Sequence, residues 1–314
     1  MPLVAPGALP LGVTVDQLYL GLAVLFAFVF LDLDPAREFK LRSGAVTASE
    51  GLAKLVKVVV TAVQVGDTLH LDKFYDTLSP QSGQLLRDYG VHLIQRLFTG
   101  GKSVDEVVWT IIPTAAAAVA TQAQHFAQML DVYLRDEYRH HWEAIRKCAW
   151  SNDPADFEKL KKYALEANRL APAAFGVART AAAKATVNDG AHGSVPVAPD
   201  DTVYVDFVAA GLDETVFPNP TEIDITRDPS LYLHHGYSHH KCLGRPIVEI
   251  SMAAQLKVFA KLQGLKRAPG LQGVLKSTEP RPSPGKITVY MKEDWSDWWP
   301  FPACELSPSL LWGK

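Results

Sequence analysis

Cysteine is scarce in this chain. Cys148, Cys242 and Cys304 are the whole complement of 314 residues, too far apart for a CxxC pair and too few to be bonded to one another completely. A reducing compartment is therefore the expected home. An excess of charge is missing as well: 31 Lys and Arg face 34 Asp and Glu, a net charge of −3, with no basic block. Nucleic-acid binding has no electrostatic footprint here. Nor is there an unbroken membrane span. "LYLGLAVLFAFVFL" (18–31) is hemmed in by Asp16 and Asp32, short of the ~20 apolar residues required, and no Lys or Arg precedes it as in a signal peptide. The uncharged run 107–130 contains Pro113, Gln122, Gln124, His125 and Gln128. Both read as buried helices of a soluble protein without a transmembrane segment.

With 48% hydrophobic residues the chain can bury a large core. Apolar periodicity predicts helices over 16–31, 49–64 and 85–98, the last stopped by "TGGKS". Ser103 and Glu106 form a capping-box pattern for a long helix reaching about Arg135, which Pro113 would kink or truly begin. Further helices are expected near 137–149, 154–171 and 246–263, with Gly264 as the stop. Alternation at Val203, Val205 and Phe207 in "DDTVYVDFVAAG" reads as a strand, "KITVYMK" as another, and "STEPRPSPG" as a solvated loop. With no repeat and no Gly/Ser linker, the expectation is one mainly helical domain over 1–314 carrying small β-sheets.

"HHGYSHHKCLGRP" (234–246) gathers four histidines around Cys242. One reading is a zinc cage of His234, His235, His239, His240 and Cys242, although the usual ligand spacings are only loosely met. The other makes Cys242 the single axial ligand of a haem iron. Gly236 and Gly244 would allow a tight turn near a flat macrocycle, and Pro246 suits the first turn of a helix. That helix N-terminus would stabilise negative charge on the sulfur, and His240 would face a haem propionate.

"LEANRL" then places Glu166 and Arg169 at i, i+3 on one helix. A Pro-rich stretch, "DETVFPNPTEIDITR", follows and ends at Arg227, ahead of Cys242. The order of these three elements is more specific than any one of them. It resembles a cytochrome P-450: an ExxR helix, a meander ending in arginine, a cysteine loop and a following helix. More narrowly the chain resembles the C-terminal haem-thiolate domain of fungal psi-factor-producing oxygenases and linoleate diol synthases. "FLDLDPAREFKLR", "GDTLHLDKFYD", "DYGVHLIQRL", "TQAQHFAQMLDVYL", "HHKCLG", "LKRAPGLQG" and "YMKEDWSDWWPFP" carry that similarity.

The resemblance implies haem b bound through the Cys242 thiolate. It also implies a charged triad of Glu166, Arg169 and Arg227 beneath the haem, with His240, Gly236 and Gly244 in the cofactor loop. Ser238 stands where the family usually has Gly, and His235 where it has an aromatic residue. On the distal helix, Ala120 replaces the acid that usually precedes Thr121, and Thr121 replaces a typical Asn. Gln122 and Gln124 remain as amides that could orient a hydroperoxide, against a plain packing role.

The implied function is conversion of a hydroperoxide of an unsaturated C18-type fatty acid to a dihydroxy acid. The hydroperoxide would come from a separate dioxygenase domain or protein. A reductase-dependent monooxygenase using Thr121, or a truncated non-catalytic haem- or lipid-binding domain, are the alternatives. The front portion of the fold is expected to be missing. The expected location is cytoplasmic, compatible with attachment at membranes or lipid bodies. Trp295, Trp298, Trp299 and Phe301 read as a tail folded back on the body, and Cys148 and Cys304 as unreactive.

Overall fold

Thr14 opens the first long helix of the computed structural model, which describes residues 10–32, 35–68, 84–188, 190, 193–279, 288–298 and 306–307. The Thr14 hydroxyl accepts from the Gln17 N–H at 3.1 Å, and the Gln17 side-chain Oε1 accepts from the Thr14 N–H at 2.9 Å. This reciprocal cap satisfies two N–H groups that the helix leaves free. Helix α1 (Val15–Leu31) packs on α2 (Pro35–Thr68). The helix expected at 49–64 is therefore only the second half of α2. Its first half, rich in good helix formers such as Ala, Arg, Glu, Lys and Leu, has no clear apolar period to announce it.

Helix α3 (Gln84–Thr99) ends where foreseen. Gly101 takes φ +81°, and the Lys102 N–H reaches back to the Leu97 carbonyl at 3.1 Å. The predicted cap then starts α4 (Val104–Tyr133): Ser103 N–H donates to Glu106 at 2.8 Å and the Glu106 N–H donates to the Ser103 hydroxyl at 3.3 Å. Pro113 lies inside this helix and is not its start.

The chain divides into two compact units, Met1–Thr121 and Gln122–Lys314, and α4 contributes to each. In the first, Leu52, Val60 and Val63 of α2 bury against Ile94 of α3 and Val107 and Ile111 of α4. By length and composition α4 is the one helix among the described residues that could cross a membrane. Its second half, however, buries Gln124, His125, Gln128 and Asp131, polar side chains that a core helix can partner within the protein.

The second unit is built on α5 (Arg139–Trp150), α6 (Pro154–Leu170) and α8 (Arg245–Phe259), which pack on one another. Asp153 caps α6 by accepting from the Ala155 N–H at 2.9 Å, with Pro154 in the first turn. Met129, Ile145, Leu160, Met252 and Leu256 fill the space between them. Helix α8 ends at Phe259, short of the expected 263, while Gly264 takes φ +63° just beyond it.

The described strands form four two-stranded sheets, each antiparallel. Strand β1 (Gly176–Thr180) pairs with β4 (Thr202–Asp206), and β2 (Ala185–Asn188) with β3 (Ser194–Val197). The strand expected through Phe207 stops one residue earlier. The Asp206 carboxylate accepts from the Val208 and Ala209 N–H groups and starts the short helix α7 (Phe207–Gly211) instead.

Strand β5 (Lys266–Arg267) pairs with β8 (Leu306–Ser307), and β6 (Ser277–Thr278) with β7 (Val289–Tyr290). The loop expected to begin at Ser277 thus opens with two strand residues, and "KITVYMK" contributes Val289 and Tyr290. The mainly helical chain with small sheets is as expected. Trp298 folds back in a bridge to Met291, and Trp295 is exposed. Trp299, Phe301, Cys304 and most of "GDTLHLDKFYD" lie outside the described residues.

Candidate functional site

Burying an ion pair is costly unless every donor and acceptor finds a partner. Glu166 and Arg169, on the last turns of α6, are 0% and 1% exposed. Their pairing is bidentate, Nε to Oε1 and one terminal nitrogen to Oε2, both at 2.9 Å. The remaining Arg169 hydrogens go to the carbonyls of Gly211 (2.8 Å), Pro220 (2.5 Å) and Glu222 (2.9 Å). Every N–H of the guanidinium is thereby used. Gly211 cannot carry a side chain, because a Cβ there would lie 2.7 Å from the Arg169 carbonyl.

Glu166 is as fully engaged. Oε2 also accepts from the Asp224 N–H at 2.9 Å, and Oε1 from the Tyr232 hydroxyl at 2.6 Å. Arg227 completes the predicted triad, its Nε 3.5 Å from Glu166 Oε2. Its terminal nitrogen donates to the Pro218 and Asn219 carbonyls at 3.0 and 3.2 Å. The Pro-rich stretch 213–227 is thus folded around two arginines and one carboxylate. Tyr232 and Phe217 were not anticipated. Both are aromatic positions in an irregular segment, where no periodicity marks them.

The cysteine loop follows directly. The Cys242 N–H donates to the His235 carbonyl at 2.7 Å, and the Gly236 N–H to the Leu233 carbonyl at 2.7 Å. Gly236 takes φ +73°, and a Cβ on it would meet the His240 carbonyl at 2.2 Å, so the turn admits only glycine. Ser238 also takes a left-handed φ of +52°. Gly244 precedes α8, whose first turn holds Pro246, and a Cβ on it would touch the Cys242 sulfur at 3.6 Å. Arg245 reaches back to the Pro229 carbonyl at 3.1 Å and pairs with Glu249 at 2.7 Å.

Cys242 itself is exposed, as are His239, His240 and the apolar Leu243, Ile247 and Ile250. The histidine cage does not form: among the described residues no three His, Cys, Asp or Glu side chains gather into a metal site. His234 stacks edge-on against His235 with ring centroids 4.5 Å apart, turned to the protein interior. The site therefore offers one open thiol just before a helix N-terminus and, among the described residues, no cluster of three protein donors.

The distal candidates lie on α4 and differ in their engagement. The Thr121 hydroxyl donates to the Ala117 carbonyl of its own helix. Gln122 Oε1 accepts from the Ser251 hydroxyl of α8 at 2.7 Å, so that oxygen is engaged in helix packing. Gln124 is 3% exposed, and its Oε1 is buried with no hydrogen-bond partner among the described residues. Next to it, His125 is buried with Nε2 3.4 Å from the Ala164 carbonyl.

Burial pushes the His125 imidazole down to about 3 and, with the Arg245 charge, His235 to about 4. Burial, then the neighbouring His235 and His125, hold His234 well below its ordinary value. Nε2 of His234 and Nδ1 of His235 are buried without partners among the described residues.

No family model matches the chain. It is 36% identical over 308 residues to a bifunctional dioxygenase–epoxy alcohol synthase of Fusarium oxysporum, covering 96% of this chain and 23% of that one. To psi-producing oxygenase A of Emericella nidulans it is 36% identical over 293 residues, 92% of this chain and 26% of the relative. A 7,8-linoleate diol synthase of Pyricularia oryzae is 29% identical, over 83% and 27% respectively. The chain thus spans about a quarter of the length of the curated relatives it matches.

Solved cytochrome P450 structures share the fold. P450BioI, in complex with an acyl carrier protein ligated to hexadec-9Z-enoic acid, superposes with TM-score 0.61 at 20% identity, covering 93% of this chain and 60% of that one. CYP164A2 of Mycobacterium smegmatis gives TM-score 0.63 at 19% identity, covering 84% and 59%.

Two outcomes follow from this geometry. Ser238→Gly removes a left-handed strain of about 1–2 kcal/mol and adds about 0.5–1 kcal/mol of backbone entropy cost. A net gain of about 0.5–1 kcal/mol is expected in urea unfolding, and a loss would mean the serine side chain holds something else. Buried His125 and His235, and partly buried His234, stay neutral when folded but take up protons near pH 6.5 when unfolded. Their stabilising share is therefore present above about pH 6.5 and is lost as pH falls, by at most about 1.4 kcal/mol per unit for each histidine. Unfolding midpoints between about pH 6.5 and pH 4.5 should decline steadily; a flat profile over that window contradicts the burial of neutral imidazoles.

Proposed function

On the premise that this chain belongs to the cytochrome P450 superfamily, among the relatives of the fungal psi-producing oxygenases and linoleate diol synthases, we propose that it binds haem b through Cys242 and rearranges an unsaturated fatty-acid hydroperoxide to a dihydroxy acid. The observation that carries the reading is the open Cys242 thiol, set at the start of α8 in a loop pinned to the buried Glu166 knot.

The residues present fit the group. Among the described residues no cluster of three protein donors forms here, and an open thiol suits a metal whose other ligands come from a macrocycle. Gly244, bare beside the sulfur, leaves room for a flat ligand, and the exposed apolar surface of Leu243 gives it a face to cover. When bound, the haem supplies an iron whose thiolate ligand favours cleavage of an O–O bond. Glu166, Arg169 and Arg227 hold the loop that presents the sulfur. His240, exposed two residues before it, is available to a propionate.

The distal helix supports a hydroperoxide over dioxygen. Ala120, fully buried, stands where an acid would relay protons, and the Thr121 hydroxyl hydrogen is committed to the Ala117 carbonyl. The buried Oε1 of Gln124 has no donor among the described residues, and the O–H of a hydroperoxide would supply one. A substrate that arrives with its O–O bond already reduced needs no proton route from α4. Such a hydroperoxide would be made by a dioxygenase, either a domain of a longer protein or a separate partner. A second reading, rearrangement to an epoxy alcohol, is favoured by the name of the Fusarium relative. It uses the same groups and differs in where the oxygen is returned.

The test is haem-loaded protein with a linoleate- or oleate-type hydroperoxide and no reductase. The reduced carbon-monoxide complex should show the thiolate-type Soret band, and the product should be a diol. Cys242→Ala should abolish both, and Gln124→Leu should divert product toward epoxy alcohols or ketones. Epoxy alcohol from the unaltered protein would support the second reading. Turnover that requires NADPH and a reductase, or none under either condition, would contradict the hydroperoxide reading.

A further inference from the structure

We propose that Tyr232 is a positioning residue for Cys242, linking the buried charges of α6 to the loop that presents the thiol. The inference rests on the haem-thiolate reading of Cys242 and adds a residue to which the sequence motifs gave no role.

Tyr232 is 4% exposed and ends the short 3₁₀ turn Pro229–Leu231, ten positions before Cys242. Its hydroxyl donates to Glu166 Oε1 at 2.6 Å, sharing that oxygen with Arg169. One face of its ring stacks on Phe217, with centroids 5.8 Å apart and planes 29° from parallel. Phe217 in turn lies under the guanidinium carbons of Arg169 and Arg227, at 5.2 and 5.7 Å. Tyr232 also contacts the His234 ring at 5.6 Å, and His234 meets His235 at 4.5 Å. The carbonyl of His235 accepts the Cys242 N–H.

Each step in this series is a direct contact, from the Glu166 carboxylate to the backbone of the thiol residue. Arg169 and Arg227 act on the end of α7 and on residues 218–222 of the Pro-rich stretch through carbonyls. Among the described groups bonded to Glu166, Tyr232 is the nearest in sequence to Cys242. Its phenol hydrogen bonds a charged oxygen in a dry setting, where such a bond is strong and directional. Losing it frees the ring to shift, and His234 and His235 with it.

Tyr232→Phe keeps the ring and its stacking and removes only the hydroxyl. Two readouts separate positioning from general stability. Amide hydrogen exchange of the 235–242 segment should quicken about tenfold, the factor carried by one hydrogen bond to a charged group, while exchange around Ile145 in α5 stays unchanged. In the haem-loaded protein, the reduced carbon-monoxide spectrum should move from the thiolate-type toward the neutral-thiol-type Soret band.

Unchanged exchange in the 235–242 segment overturns the proposal. So does an equal rise in that segment and in α5, which would make Tyr232 a general core residue. If the variant does not fold, Phe217→Leu is measured instead. It leaves the hydroxyl in place and should loosen 235–242 by less than it loosens 213–222; the reverse order would overturn the link through Tyr232. The exchange arm needs no haem. Failure of the unaltered protein to bind haem would sink the haem-thiolate reading while leaving this link open to measurement.

Discussion

A carboxylate with no exposure to water has to be surrounded by donors, and much of the second unit is arranged around meeting that demand for Glu166. Its oxygens take hydrogen bonds from Arg169, Tyr232 and the Asp224 backbone, with the Arg227 charge close by. Each partner then brings its own segment into place. Arg169 fixes the end of α7 and the Pro-rich stretch through three carbonyls, and Tyr232 fixes the approach to the cysteine loop. Such a knot contributes less net stability than its number of bonds suggests, because desolvation offsets most of the Coulombic gain. Its effect is specificity, in that few other conformations of an irregular segment could satisfy the same groups.

That constraint explains why a reactive loop can sit on a scaffold with little regular structure around it. Residues 213–244 contain only single helical turns, yet several of their carbonyls accept hydrogen bonds and the Phe217 and Tyr232 rings stack on each other. The loop that remains is held from one side by His235 and from the other by the N-terminus of α8, and it leaves the sulfur of Cys242 open. Neutral histidines behind the loop add a second dependence on dryness, since protonating any of them would place a charge among groups that cannot solvate it.

The charged motif could be read from the sequence because Glu166 and Arg169 have helical spacing and because their order with Arg227 and Cys242 is restrictive. Tyr232 and Phe217 could not, since aromatic residues in a Pro-rich segment have no period to betray which face they take. Gln122 looked like a free amide beside Gln124; its bond to Ser251 of α8 depends on a contact 129 residues away. The β2–β3 hairpin was invisible for a different reason. Its residues are exposed on both faces apart from Val197, so no alternation of burial shaped their pattern. Helix starts were legible at Ser103 and Asp153, where a side chain made the cap, but not at Asp206. Nor was the beginning of α2, which lacks an apolar period.

The most direct test of the central claim is a double-mutant cycle on Glu166 and Arg169, read by urea unfolding. If the ion pair is a mutually dependent buried unit, Glu166→Gln and Arg169→Met should each cost about 3–5 kcal/mol by leaving an unmatched charge or donor set. The double variant should then cost little more than either alone, a coupling of about 3 kcal/mol, at the upper end for contacting residues. Costs that simply add would contradict the account, because they would mean that the two side chains stabilise the fold independently and that Glu166 does not organise its surroundings.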